Sequence, residues 1–170
     1  RMLWRGAQPA LIAPTCWMAA QARESSVFAG AETRTIPNAV DIEDFRPRAK
    51  SEARARLGLP VAGTYILCGA DHGGEKRKGF DALGRVLGKV GGAIGVAPKV
   101  DGVIWVGEHA PEWCPQYPRL HKLGRLEHGE RMALAYAAAD LFVLTSSEDN
   151  IPNMVLEAMS CGTPVVAFAA

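Results

Sequence analysis

The sequence lacks the features that would place it in several large classes. Its 170 residues hold four cysteines, Cys16, Cys68, Cys114 and Cys161, each more than forty positions from the next. With no Cys-x-x-Cys pair, neither a zinc site nor a redox dithiol is indicated, and the cysteines read as free thiols of a reducing compartment. No apolar run approaches the roughly 20 residues needed to cross a bilayer. Residues 1–18 contain a short apolar part but not the layout of a signal peptide, so the chain reads as soluble. Nineteen Lys and Arg nearly balance 18 Asp and Glu. That balance provides no bulk field to attract nucleic acid or an anionic membrane, so any anion site must be local. Internal repeats and low-complexity stretches are also missing. The length suits one α/β domain rather than a two-domain enzyme.

What is present is an alternation of strand-like and helix-like segments. Residues 64–68, TYILC, are aromatic and β-branched between Gly63 and Gly69 and read as a short buried strand. Phe80, Leu83, Leu87 and Val90 recur at spacings of three and four, which predicts a helix over 78–90 with Arg85 and Lys89 off its apolar face. VIWVG, 103–107, repeats the strand-then-glycine pattern. An Ala-rich helix over 130–140 runs straight into the strand LFVLT, 141–145. A helix over 152–161, closed by Gly162, precedes a last strand, PVVAF. Repeated β-then-α order implies an α/β fold, a doubly wound parallel sheet of Rossmann-like type. The first 35 residues differ in character, and residues 36–47, IPNAVDIEDFRP, read as a linker entering the domain.

In such a sheet ligands bind beyond the carboxyl ends of the strands, which directs attention to the loops after Cys68, Val106 and Thr145. The last of these holds Ser146, Ser147, Glu148, Asp149 and Asn150 before Pro152, whose missing N–H costs nothing where a helix opens. Free amides there make an anion site. Along the helix, Asn150, Asn153, Glu157 and Ser160 or Cys161 fall on one polar stripe, with Val155, Leu156 and Met159 assigned to packing. Glu157 is a candidate for hydrogen-bonding paired sugar hydroxyls, because one carboxylate can accept from two donors. After the first strand, Lys76, Arg77 and Lys78 precede Gly79 and a helix. Cations are electrostatically unfavourable at a helix N-terminus, and a bound diphosphate would account for them. Plainer readings stand beside both: a solvent-facing helix glutamate and a solvated basic loop. His72, His109, His121 and His128 share no spacing and are read as surface or loop residues.

Together the segments IPNAVD, RKGF, GRLEHGERMALAYAAADLFVLTSSEDN and EDNIPNMVLEAMSCGTPVVAF resemble the C-terminal domain of glycosyltransferase group 1, a GT-B family. The resemblance spans most of residues 36–168, with four motifs in the family's order. It implies one half of a GT-B fold, truncated at both ends. Residues 1–35 would be a remnant of an N-terminal domain, 36–47 the interdomain crossover, and 48–170 an incomplete donor-nucleotide-binding domain. The implied activity is retaining transfer of a hexosyl group from a UDP-sugar or GDP-sugar to a glycan or lipid-linked acceptor, with the acceptor held by the missing N-terminal domain. No metal and no further cofactor are expected. The family implies that Asp149 is the catalytic carboxylate facing the transferred sugar. Asn150, Ile151, Pro152 and Asn153 would contact sugar and phosphate, Glu157 the ribose, and Arg77, Lys78 and Gly79 the diphosphate. A cytoplasmic location follows, peripheral to the inner face of the membrane for a lipid-linked acceptor.

Two positions depart from the family pattern. Asp149 stands where the family usually has Glu, with Glu148 beside it as the alternative carboxylate at a different register, and Ala70 follows Gly69 where an arginine is common, so that either Arg77 supplies the guanidinium or diphosphate binding is weaker. Three readings compete: a non-catalytic nucleotide-recognition module of the same fold, a GT-B epimerase or phosphorylase, and a receiver-like flavodoxin fold.

Overall fold

A computed structural model describes residues 9–92, 100–112, 119–150 and 152–168, with side chains at 89–92 outside the description. Ile151, Cys114 and the expected apolar position Val90 therefore lie outside what is described. The chain divides into two compact units, Arg1–Ala39 with Asp149–Asn153, and Val40–Glu148 with Met154–Ala170.

The first unit is a small βαβ element. Strand β1 (Ala10–Ala13) and strand β2 (Glu32–Thr35) pair in parallel, and helix α1 (Cys16–Glu24) connects them. Thr15 caps α1, its hydroxyl accepting from the Met18 N–H at 3.0 Å. The same hydroxyl donates to Asn150 Oδ1 at 2.8 Å, and Asn38 Nδ2 donates to Asn153 Oδ1 at 2.8 Å. Two of the predicted ligand-binding asparagines thus already use their side-chain oxygens.

The second unit contains helix α2 (Lys50–Arg56), β3 (Tyr65–Gly69), a 3-10 turn (Lys76–Lys78), α3 (Phe80–Gly92), β4 (Gly102–Val106), β5 (Leu120–Gly124), α4 (Glu130–Ala138), β6 (Leu141–Leu144), α5 (Asn153–Ser160) and β7 (Val165–Ala167). Every strand pair is parallel, and the order across the sheet is β5-β4-β3-β6-β7. From the central β3 the chain winds outward one way through β4 and β5, then crosses back to β6 and β7. This is the dinucleotide-fold order rather than the flavodoxin order, which rejects the receiver-like alternative. The reversal of direction, and with it the ligand crevice, falls between the carboxyl ends of β3 and β6.

Residues alternate across the sheet with the strand period of two. Tyr65, Leu67, Ile104, Val106 and Phe142 face α2, α4 and α5, where Phe45, Ala53 and Ala158 join them. Ile66, Cys68, Val103 and Trp105 face α3 and meet Phe80, Leu83 and Leu87. The helical spacing expected for α3 is therefore the core face. Phe45, from the stretch read as a linker, is fully buried in the first of these layers.

At the amino ends of β3 and β6 a buried guanidinium ties three elements together. Arg54 of α2, 3% exposed, donates to the carbonyls of Ala138 (2.9 Å), Val61 (2.7 Å) and Gly63 (3.0 Å) and to Asp140 Oδ2 (2.8 Å). It also lies over the Tyr65 ring, 4.7 Å from the centroid. Asp140 in turn accepts from the Tyr65 N–H at 2.7 Å and from Lys50. Burial raises the Asp140 pKa, but Lys50, the Tyr65 N–H and Arg54 outweigh it and hold the carboxyl below its ordinary value. A group so depressed stabilises the fold above its unfolded pKa of about 3.9 and loses that contribution as pH falls through the lower native value. Urea denaturation of Asp140→Asn at neutral pH and near pH 3 is expected to show a smaller loss on acidification than the wild type. An equal loss in the two proteins would remove Asp140 from the acid response.

Candidate functional site

The basic turn sits where the sheet reverses. Gly79 ends it at φ +66°, and a Cβ built there would lie 2.0 Å from the Thr145 carbonyl oxygen, so only glycine fits. Main-chain atoms attach the turn to the end of β6. The Thr145 hydroxyl donates to the Lys78 carbonyl (2.7 Å), and the Ser147 N–H donates to the Arg77 carbonyl (3.0 Å). Arg77 also reaches the Glu148 carbonyl at 3.4 Å and Glu75 Oε2 at 3.1 Å. The two loops expected to bind ligand are one laced structure. Among the described residues, the buried Ser146 hydroxyl beside it has no hydrogen-bond partner.

Glu157 of α5 lines the same cavity as Arg77 and Lys78. It is 6% exposed, not solvent-facing, which removes the plainer reading of this residue. Its Oε2 accepts from the Tyr136 hydroxyl of α4 at 2.8 Å, and its Oε1 lies 3.4 Å from His128 Nδ1. Burial, reinforced by the Glu157 charge, pushes the Tyr136 phenol well above its ordinary pKa, so it remains a proton donor. Burial likewise pushes the neighbouring Cys161 thiol up to about 11.

This cavity, of about 370 Å³, is also bordered by Ala70 and Gly107 at the ends of β3 and β4 and by Leu126 before α4. Arg77, Lys78, Arg125 and His128 bring cationic or proton-donating groups to it, and Asp71, Glu75 and Glu157 bring carboxylates. A basic turn and a hydrogen-bonded carboxylate lining the same cavity suit a ligand that carries both an anionic group and hydroxyls.

The structure thus brings Arg77, Lys78 and Glu157 to one cavity and places Gly79 at the end of the basic turn, outside the cavity's lining. Asp149, Asn150, Pro152 and Asn153 belong to the first unit, where Asp149 is exposed and Asn150 and Pro152 are half-buried. Two expectations for α5 are corrected. The helix starts at Asn153, so Pro152 precedes it and Asn150 is not on its stripe. Met159, assigned to packing, is 63% exposed, because the helix turns Glu157, Ala158 and Cys161 inward instead. His128 was read as a surface or loop residue, which it is, but not as part of the site, and Arg125 was not singled out in the sequence. The signal that would have found them is β5: once 120–124 is a strand, both fall in the loop at its carboxyl end.

A sequence model of the family described as glycosyl transferases group 1 matches residues 63–170. The chain belongs to the glycosyltransferase group 1 family. It is 33% identical over 148 residues to D-inositol 3-phosphate glycosyltransferase 1 of Catenulispora acidiphila, an alignment covering 79% of this chain and 35% of that protein. Among solved structures it resembles sucrose-phosphate synthase from Thermosynechococcus elongatus, with TM-score 0.76, 25% identity, and coverage of 98% of this chain and 42% of that one. It also resembles Anabaena HepE in complex with UDP-glucose, with TM-score 0.60, 25% identity, and coverage of 98% and 46%. The fold is that of a GT-B glycosyltransferase domain, and the chain spans about a third of the length of the curated relatives it matches. Among the described residues no helix is long and apolar enough to cross a membrane.

Proposed function

We propose that this group 1 glycosyltransferase chain binds a nucleotide sugar, with the diphosphate at Arg77 and Lys78 and the ribose at Glu157. The observation that carries this reading is the cavity at the reversal of the sheet, whose lining includes both a basic turn and a buried carboxylate. A glycosyl–phosphate bond that breaks leaves its charge on the nucleotide, and fixed cations lower the barrier by stabilising that charge as it develops. UDP-sugars and GDP-sugars are the proposed donors, and the likeness to HepE with UDP-glucose supports the first.

In the whole protein the reaction is retaining hexosyl transfer to a glycan or lipid-linked acceptor, in the cytoplasm and at the inner face of the membrane where the acceptor is lipid-linked. Asp149, eight residues before Glu157, is the proposed catalytic carboxylate, and Asn150, Ile151, Pro152 and Asn153 supply contacts to the sugar and phosphate. Residues 1–35 belong to the acceptor-binding half, and 36–47 form the crossover.

Isothermal titration of the chain with UDP and GDP tests the donor site. Binding of one of them is expected, weakened about tenfold or more by Glu157→Ala and by Lys78→Ala, the loss of a charged hydrogen bond in each case. A wild-type chain that binds neither nucleotide would overturn the reading.

A further inference from the structure

Within the proposed donor site we infer that Tyr136 is a positioning residue: its hydroxyl fixes the Glu157 carboxylate, and the discrimination of a ribose from a 2′-deoxyribose depends on it. This rests on the reading of Glu157 as the ribose ligand.

Three observations set the direction of control. Tyr136 is fully buried, and its ring is packed edge-on against Phe142 at 5.8 Å and tilted against Phe45 at 6.2 Å. Its carbonyl accepts from the Thr163 hydroxyl at 2.8 Å, so the main chain of α4 is bonded to the segment just after α5. A side chain so enclosed cannot follow its partner, whereas Glu157 has three side-chain torsions and lines an open cavity. The hydroxyl at 2.8 Å from Oε2 therefore decides where the carboxylate lies.

The chemistry of a carboxylate explains why this matters for a diol. Each oxygen offers two lone pairs, and Tyr136 takes one of those on Oε2. The remaining sites lie in one fixed plane. The two hydroxyls of a ribose can meet that plane together only if it does not rotate. With the Tyr136 hydroxyl removed, the carboxylate loses its buried donor and keeps beside it the exposed His128 ring, 3.4 Å from Oε1. A solvent-exposed ring does not fix the plane, and the second ribose hydroxyl gains little over a hydrogen atom. A site built to bond a hydroxyl rejects the analogue without it; a mobile one does not.

The test compares UDP, 2′-deoxy-UDP and inorganic pyrophosphate by calorimetry on the wild-type chain, Tyr136→Phe, Glu157→Gln and the double variant. The wild type is expected to prefer UDP over 2′-deoxy-UDP by about tenfold. Tyr136→Phe should bring that preference to within about twofold by weakening UDP alone, with pyrophosphate unchanged, which a general loss of structure would not do. The double variant leaves no buried charge without its donor. It is expected to bind UDP as Glu157→Gln does, and so keeps the question answerable if Tyr136→Phe folds poorly. Parallel weakening of all three ligands by Tyr136→Phe overturns the inference. So does a double variant clearly weaker than Glu157→Gln, which would show Tyr136 acting independently. A wild type that binds UDP and 2′-deoxy-UDP equally would overturn the ribose role of Glu157 itself.

Discussion

Replacing Arg54 with alanine is expected to cost about 3–5 kcal/mol, the range seen when one partner of a buried ion pair is removed. The side chain is 3% exposed and serves three carbonyls as well as Asp140. Alanine leaves those acceptors without their donor and strips Asp140 of one of its two cations. For a chain of this size that loss corresponds to a fall in melting temperature of roughly 10 °C. Arg54→Lys should recover little of it, because an ammonium group cannot imitate a planar fork that reaches four acceptors in different directions. Thermal unfolding followed by circular dichroism measures both variants. A lysine protein as stable as the wild type would mean that charge alone, and not the fork, is what the site uses.

Gly79→Ala is expected to produce the second large effect, and at the other end of the sheet. The left-handed conformation at φ +66° costs a non-glycine residue about 1–2 kcal/mol. The new methyl would also stand 2.0 Å from the Thr145 oxygen, so the turn has to move away from β6. That movement breaks the bonds from Thr145 and Ser147 that hold the turn, and it displaces Arg77 and Lys78 from the cavity. We expect UDP affinity to fall by about tenfold or more, alongside a loss of about 2 kcal/mol in stability. Unchanged UDP affinity in the folded variant would show that the basic turn does not hold the diphosphate.

The legible parts of the fold were those bounded by breakers. β3 and β4 are apolar runs ending at glycines, and α3 carries its apolar residues at helical spacing, so period and punctuation agree. β5 carries the sequence LHKLG, half polar because it lies at the edge of the sheet, and no run of apolar residues marks it. The burial of Phe45 was hidden for a different reason, since its partners come from α2 and α4 and local composition does not record them. Strand order is a property of pairing across long stretches of chain, so the crevice between β3 and β6 could be located only once the sheet was known. For the site, the family pattern pointed to Glu157 and the basic turn, but not to what holds them. The partner of Glu157 lies 21 positions earlier, in a helix whose alanines dominated its reading. His128 reaches the cavity only because β5 delivers the chain there.

The lacing of the basic turn to β6 has a consequence for how the site can change. Thr145 and Ser147 hold the turn by the carbonyls of Lys78 and Arg77, which every amino acid supplies. These bonds do not depend on the side chains at 77 and 78, although Arg77 adds its own to the Glu148 carbonyl and Glu75, whereas Gly79 is bound to its identity by shape. The course of this loop is set by main-chain bonds and one glycine, so its charge can change over a lineage without the scaffold being rebuilt.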